Sequence, residues 1–299
     1  MKFLSRLFPS RGALPPASPV GMIVEEESSW LRNYATETYS GAGAIVDLGC
    51  FVGSTTIALA QGLRANPAAK TAKIHACDCF RWEDWMQRWW KAKGLTPPDL
   101  ERDSFLPEFL KRTSPWKEQI IVHSEDLAGS RWDDGPIEFL LIDVMKSADV
   151  AEAIARNFFG ALIPGKSYIA HQDFAHWLTS WISVLQFRLR DSFEVAADVP
   201  MSGTVVFHYR KPFLPEAVGD LSMSSVKPEE IEAAFDYSLS VVADAKKPNV
   251  IAAKAMAYLH RGEVDVAREV LRTNRWGPTS YGQDLEIVER LISERSGNP

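Results

Sequence analysis

The sequence predicts an α/β fold: a doubly wound, mostly parallel sheet followed by an α-helical appendage. Three observations predict it. Short apolar runs alternate with helical stretches between residues 24 and 211. A glycine loop, Gly49-Cys50-Phe51-Val52-Gly53, joins the first apolar run to a helix. From Pro228 the pattern is helical to the end. Alternating strand and helix signals imply parallel strands with helices on both faces.

Residues 1–23 read as a mobile N-terminal segment, rich in Pro, Gly, Ser and Ala over 9–21. Its start, MKFLSRLFPSRGALPP, is too short and interrupted for a signal peptide. Residues 24–38 predict a helix with Trp30, Leu31 and Tyr34 on one face. Ala44-Ile45-Val46 open a first strand that ends on Asp47. Gly49 and Gly53 allow a tight turn and close approach by a ligand. Ser54 or Thr55 is placed to cap the helix, whose Ile57, Ala58 and Leu59 face the sheet.

Lys73–Asp78 predicts a second strand, again ending in an acid. Residues 81–117 form an insertion carrying Trp82, Trp85, Trp89, Trp90 and Trp116. Helical spacing of Trp82, Trp85 and Trp89 predicts core packing, and their place also suits a lid that stacks on a sugar ring. Gln119–His123 and Ile137–Ile142 are the third and fourth strands, the latter followed by Asp143. A helix over 147–160, a fifth strand at Lys166–His171 and a helix over 177–189 follow. Glu194–Val199 and Thr204–Tyr209 flank a short turn, which implies an antiparallel pair at the sheet edge.

Residues 212–227 read as a linker and 228–299 as a helical tail. Within the tail, Ala255, Tyr258, Gly262, Ala267 and Leu271 have the spacing of one tetratricopeptide hairpin. One hairpin cannot bury its own face. It is expected to pack on the sheet domain or on a second copy, as a homodimer.

The 299 residues are 46% hydrophobic and 24% charged, which is ordinary for a globular chain. A net charge of −6 argues against broad nucleic-acid binding, which needs clustered cations. No run approaches the roughly 18 apolar residues of a membrane span. Cys50, Cys77 and Cys79 lack metal-site spacing and read as reduced thiols of a cytoplasmic protein.

The glycine loop lacks both the GxGxxG spacing of a dinucleotide site and the GKS or GKT ending of a phosphate loop. Asp47 would repel a pyrophosphate and suits a ligand with an ammonium or sulfonium group. An NAD-dependent oxidoreductase is therefore disfavoured. Asp47, Gly49 and Gly53 resemble the first motif of class I S-adenosylmethionine-dependent methyltransferases, hydrophobic-Asp/Glu-x-Gly-x-Gly-x-Gly. Phe51 stands where that motif has its middle glycine.

The resemblance covers roughly residues 24–210 and implies a seven-stranded, Rossmann-like sheet. It implies S-adenosyl-L-methionine as cofactor, held by Asp47, Gly49, Cys50, Phe51, Gly53, Ser54 and Thr55. Asp78 ends the second strand beside this loop, where it can accept hydrogen bonds from ribose hydroxyls. Cys79 and Phe80 would flank the ribose and adenine, with Phe80 or Trp82 stacking on the base. The resemblance places Ser124 and Glu125 against the adenine, while Ser124 also reads as a helix cap.

Asp143 and His171-Gln172-Asp173 end the fourth and fifth strands, on the crevice side of an open α/β sheet. The chain is similar to the small-molecule and sugar O-methyltransferase branch, of the macrocin O-methyltransferase type. Its members bind a divalent cation through an Asp after strand four and an Asp-Asp pair after strand five. Asp143 and Asp173 match, Gln172 replaces the first Asp of the pair, and Asp143-Val144-Met145 lacks a second acid. Asp143, Gln172 and Asp173 are the magnesium candidates. The metal-free alternative uses His171, whose ordinary pKa is about 6.5, as proton acceptor beside Asp173. His171, Asp173 and Asp143 are thus the candidate catalytic residues. The expected activity is O-methylation of a hydroxyl on a small molecule or glycan. The alternative is a methyltransferase-fold module that binds without catalysis, suggested by the broken glycine pattern and the missing acids.

Overall fold

The computed structural model describes residues 20–69, 71–274 and 283–295. Most of the expected N-terminal segment, residues 1–19, lies outside the described residues. The chain divides into two compact units, Met1–Leu141 with Pro200–Ser202, and Ile142–Val199 with Gly203–Pro299.

The first unit opens with α1 (Glu25–Asn33), which continues as a π-turn over Tyr34–Thr38. Then come β1 (Ala44–Leu48), α2 (Ser54–Ala65) and β2 (Ile74–Asp78). The tryptophan-rich insertion supplies α3 (Asp84–Ala92) and α4 (Leu106–Thr113), before β3 (Ile120–Ser124) and β4 (Ile137–Ile142). α1 lies on α2 closely enough that a Cβ at Gly62 would stand 2.3 Å from the Arg32 carbonyl oxygen. The turn into β1 is pinned by the buried Glu138. Its carboxylate accepts from the N–H groups of Ser40 (2.6 Å), Ala42 (2.6 Å) and Gly43 (3.3 Å). One buried carboxylate thereby satisfies three backbone donors of this turn.

The second unit holds α5 (Ala148–Phe158), β5 (Tyr168–His171), α6 (Ser180–Arg188), β6 (Phe193–Asp198) and β7 (Val205–Tyr209). The tail adds α7 (Pro228–Val241), α8 (Lys247–His260), α9 (Val264–Thr273) and α10 (Gln283–Arg295). The strands form one seven-stranded sheet in the order β3-β2-β1-β4-β5-β7-β6. β1 and β3 run parallel to β2, whereas β7 runs antiparallel to both β5 and β6. The expected fold class is therefore the observed one. The reversed strand stands one place in from the edge, between β5 and β6.

Residues 212–227 are fastened rather than free. Val218, Leu221, Met223 and Val226 are buried. The Arg188 guanidinium donates to the Val218 and Asp220 carbonyls at 2.7 and 2.9 Å and pairs with Glu230 at 2.7 Å. α8 and α9 pack against each other across a turn at Gly262, with φ +78°. α8 is largely apolar and buried from Pro248 to Leu259, the signature of a central helix. It is covered by α6, α7, α9 and α10 of the same chain.

Candidate functional site

In the first unit, β1 and β2 deliver Asp47 and Asp78 to either side of the glycine loop. The loop needs left-handed backbone at Gly49 (φ +85°), Phe51 (φ +44°) and Gly53 (φ +91°). Phe51 thus adopts a glycine-like conformation despite its side chain, at a cost of about 1 kcal/mol. Two contacts hold it there. Its N–H donates to Asp78 Oδ2 at 3.0 Å. Its ring packs on Trp85, Trp89 and Phe105, with centroids 6.1, 5.8 and 5.4 Å away. Asp78 Oδ1 accepts the N–H of Phe80 at 2.9 Å, and Phe80 is also left-handed, with φ +51°. Asp78 therefore organises two strained loops at once. Burial raises its pKa, and these N–H bonds offset part of the rise.

The expected helix cap differs. The N-cap of α2 is Gly53, with no side-chain cap. Instead the hydroxyls of Thr55 and Thr56 donate to Asp47 Oδ2 at 2.8 and 2.6 Å. Asp47 is fully buried, and its Oδ1 has no hydrogen-bond partner. Burial pushes its pKa up to about 6 against the two hydroxyl bonds. A buried, unpartnered carboxylate oxygen at the head of a helix fits an ammonium or sulfonium ligand.

The surroundings of this corner are closed. Cys50 through Thr55 are all buried. A Cβ at Gly53 would stand 2.8 Å from Thr113 Cγ2, so α4 presses on the loop. A Cβ at Gly21 would stand 2.2 Å from Ser54 Oγ, so the entering chain covers the start of α2. Phe80 is fully buried between Phe105 and Phe109, at 5.4 and 5.2 Å. That placement corrects the expectation that Phe80 flanks a base, because its ring serves the insertion's core. Trp82 leans on Trp90 at 5.8 Å, and Trp85 stays exposed. The insertion is both core and roof: its aromatic cluster includes Cys50, Phe51 and Val52 of the loop itself. Ser124, Glu125 and Cys79 are exposed, and the Glu125 N–H donates to the Asp78 carbonyl at 3.0 Å. All three cysteines are free. Burial raises the pKa of both Cys50 and Cys77, so neither is an activated thiol.

In the second unit, Asp143 and Asp173 meet across a residue the sequence did not single out, Lys146. Its ammonium bonds Asp143 Oδ1 at 2.6 Å and also Asp173 Oδ2. Burial pushes the Asp143 carboxyl well up, against the pull of Lys146, and Asp173 adds to the rise. At Asp173 burial opposes ionisation, but Lys146 and His176 outweigh it and hold the carboxyl below its ordinary range. Lys146 is itself held protonated: the two carboxylates overcome its burial. The cluster is an ammonium clamped between two carboxyls, with burial opposing ionisation at both and prevailing at Asp143.

This arrangement corrects two expectations. Lys146 puts its own positive charge where the magnesium candidates Asp143, Gln172 and Asp173 would need the ion. Gln172 adds an amide whose Oε1 is buried without a partner. These residues fit an ammonium and not a divalent cation, so no step is routed through magnesium. His171 is fully buried, with Nε2 2.7 Å from Gln186 Nε2 and Phe159 and Phe207 against its ring. Burial drives its pKa down to about 3. It cannot take a proton near neutral pH, and it belongs to the core.

The tail reaches this cluster. Asp284 on α10 accepts the Trp177 N–H at 3.1 Å and lies close enough to His176 and Asp173 to feel both charges. Trp181 Nε1 donates to the Met145 carbonyl at 2.7 Å, bracing the segment that carries Lys146. Among the described residues, no helix is long and apolar enough to cross a membrane.

Comparison with known proteins found similarity to solved structures alone. No protein-family model and no curated protein sequence matches the chain. The O-methyltransferase NovP is similar at 13% identity and TM-score 0.48, over 66% of this chain and 84% of its own. A methyltransferase from Geobacter sulfurreducens is similar at 18% identity and TM-score 0.40, over 64% and 80%. Coclaurine N-methyltransferase, solved with N-methylheliamine and SAH, is similar at 13% identity and TM-score 0.33, over 88% and 75%. The fold class itself rests on the strand order and directions above.

Proposed function

We propose that this chain is an S-adenosylmethionine-dependent methyltransferase that methylates a hydroxyl of a small molecule or glycan. The observation that carries this reading is the pair of strand-end carboxylates beside the left-handed loop. Asp47 keeps one buried oxygen unpartnered, and Asp78 organises the loop. Asp47 would hold the ammonium end of the cofactor and Asp78 its ribose hydroxyls. When bound, the cofactor supplies an electrophilic methyl group on a sulfonium.

The chain's own residues then handle the acceptor. Asp173, ionised, takes the hydroxyl proton as the oxygen–carbon bond forms. Lys146 steadies the negative charge that develops on that oxygen. Burial disfavours ionisation of Asp143, which limits repulsion within the cluster. Positioning supplies much of the rate in such a transfer.

The test is calorimetric titration with S-adenosylmethionine, followed by turnover with hydroxylated acceptors. Binding is expected in the wild type, and Asp173→Ala should bind equally well but not turn over. No binding by the wild type overturns the reading, and full turnover by Asp173→Ala removes Asp173 from it. The closed loop favours a second reading, a binding module without catalysis. Cofactor binding with no transfer to any acceptor would support it.

A further inference from the structure

We infer that His75, His123 and Asp134 form a binding site for one divalent transition ion of the zinc class. The site lies on β2, β3 and the 125–136 loop and is independent of the methyltransferase reading. In the β2–β3 register Cys77 pairs with His123. His75, two residues before Cys77, therefore projects from the same face as His123. His75 Nδ1 stands 2.9 Å from His123 Nε2 and 3.7 Å from Asp134 Oδ2. All three donor atoms lie within 4.8 Å of one another. Tetrahedral zinc with bonds of about 2.0–2.1 Å sets neighbouring donors roughly 3.3–3.4 Å apart. The separations of 2.9 and 3.7 Å straddle that value, so small side-chain adjustments bring the three donors onto one ion.

The polar logic of the cluster asks for a cation. His75 Nδ1 faces an imidazole nitrogen and a carboxylate together. One proton on that nitrogen can serve only one of them, whereas a metal ion satisfies all three lone pairs. Two imidazoles with one carboxylate are ligands for zinc, cobalt, nickel or copper rather than for magnesium or calcium.

The frame around the site is rigid. The two imidazoles stack at 5.1 Å with 19° between planes. Trp132 packs edge-on against His75 at 4.9 Å and anchors its own loop by donating to the Gly135 carbonyl at 2.6 Å. Asp134 is 56% exposed, so the fourth coordination position opens to water. β3 is the outermost strand on this side of the sheet. An ion here would clamp the following loop onto that edge.

The experiment titrates the untagged, chelator-treated full chain with Zn²⁺ alone and with Co²⁺ alone. One equivalent should bind with micromolar or tighter affinity, and cobalt should give the strong visible bands of a four-coordinate ion. His123→Ala and Asp134→Ala, both on partly exposed positions, should each weaken binding at least tenfold. Circular dichroism confirms that both variants are folded. Absence of saturable binding overturns the inference. So does one-equivalent binding that both folded variants retain in full, because the ion would then sit elsewhere.

Discussion

Replacing Lys146 with methionine tests the charge arrangement of the second unit. The substitution keeps the length of the side chain and removes its charge from between two carboxylates. Once Asp143 is ionised, Coulomb attraction at its 2.6 Å separation from Lys146 is roughly 6 kcal/mol with an effective dielectric of about 20. Lys146 is 47% exposed, however, and its partners are 16% and 17% exposed. Screening and desolvation reduce the net loss to about 1–2 kcal/mol. The loss should depend on pH. Asp143 already has a folded-state pKa above the ordinary carboxylate value, so its contribution is complete at low pH and lost as pH rises. Without Lys146 the Asp173 carboxyl rises as well, and the two acids repel once both ionise. Urea denaturation should therefore show the full loss at about pH 8 and little at about pH 4. Lys146→Arg should recover most of the loss. Equal destabilisation at both pH values would refute the electrostatic account and leave only packing.

Asp47→Asn should flatten part of the pH dependence of stability. The folded-state pKa of about 6 lies above the ordinary value of 3.8, so Asp47 favours folding at low pH and that support fades as pH rises through 6. The two-unit shift corresponds to about 3 kcal/mol, gained by the variant at alkaline pH and visible as a raised denaturation midpoint. Phe51→Gly and Phe51→Ala should both lose roughly 2–5 kcal/mol of ring packing. The glycine variant should be the more stable of the two by about 0.5–1 kcal/mol, because only alanine retains the left-handed strain; the reverse order in chemical denaturation would deny that strain. Asp78→Asn should cost about 1–3 kcal/mol, since its amide N–H₂ must face the N–H of either Phe51 or Phe80. Glu138→Ala should cost about 1–3 kcal/mol by removing the acceptor of the Ser40, Ala42 and Gly43 N–H groups, read as a fall in the urea midpoint.

Much of the sheet is written in the sequence. Ile137–Ile142 is an apolar run broken only by Glu138, and the strand occupies those residues. β5 begins later than its apolar pattern, because Ser167 Oγ accepts the Ile163 N–H at 2.6 Å and holds the preceding turn. α6 begins at Ser180 rather than 177, because the Thr179 hydroxyl donates to the Asp173 carbonyl at 2.6 Å. The acids of the site were legible as strand ends. Lys146 was not, since three residues past Asp143 it sits in a loop whose path is set by Trp181 and not by local spacing. His171 misled for a related reason. A strand buried on both faces gives no alternation to tell an inward end residue from an outward one. Phe51 was legible as a departure from glycine, but its conformation depends on Asp78 and on the aromatic insertion.

The wrapped helix α8 changes what the tail is. Its preceding Lys246 pairs with Asp198 at the end of β6 and donates to the Thr204 carbonyl at 2.9 Å, and Asn249 donates to the Ala175 carbonyl at 3.3 Å. Sheet strands and tail therefore share one interior in the second unit. A chain shortened at residue 211 would not be a smaller version of the same domain. It would expose the faces that α7 and α8 cover, and it would take Asp284 away from Asp173. The tail cannot be exchanged among homologous sheets as a cassette.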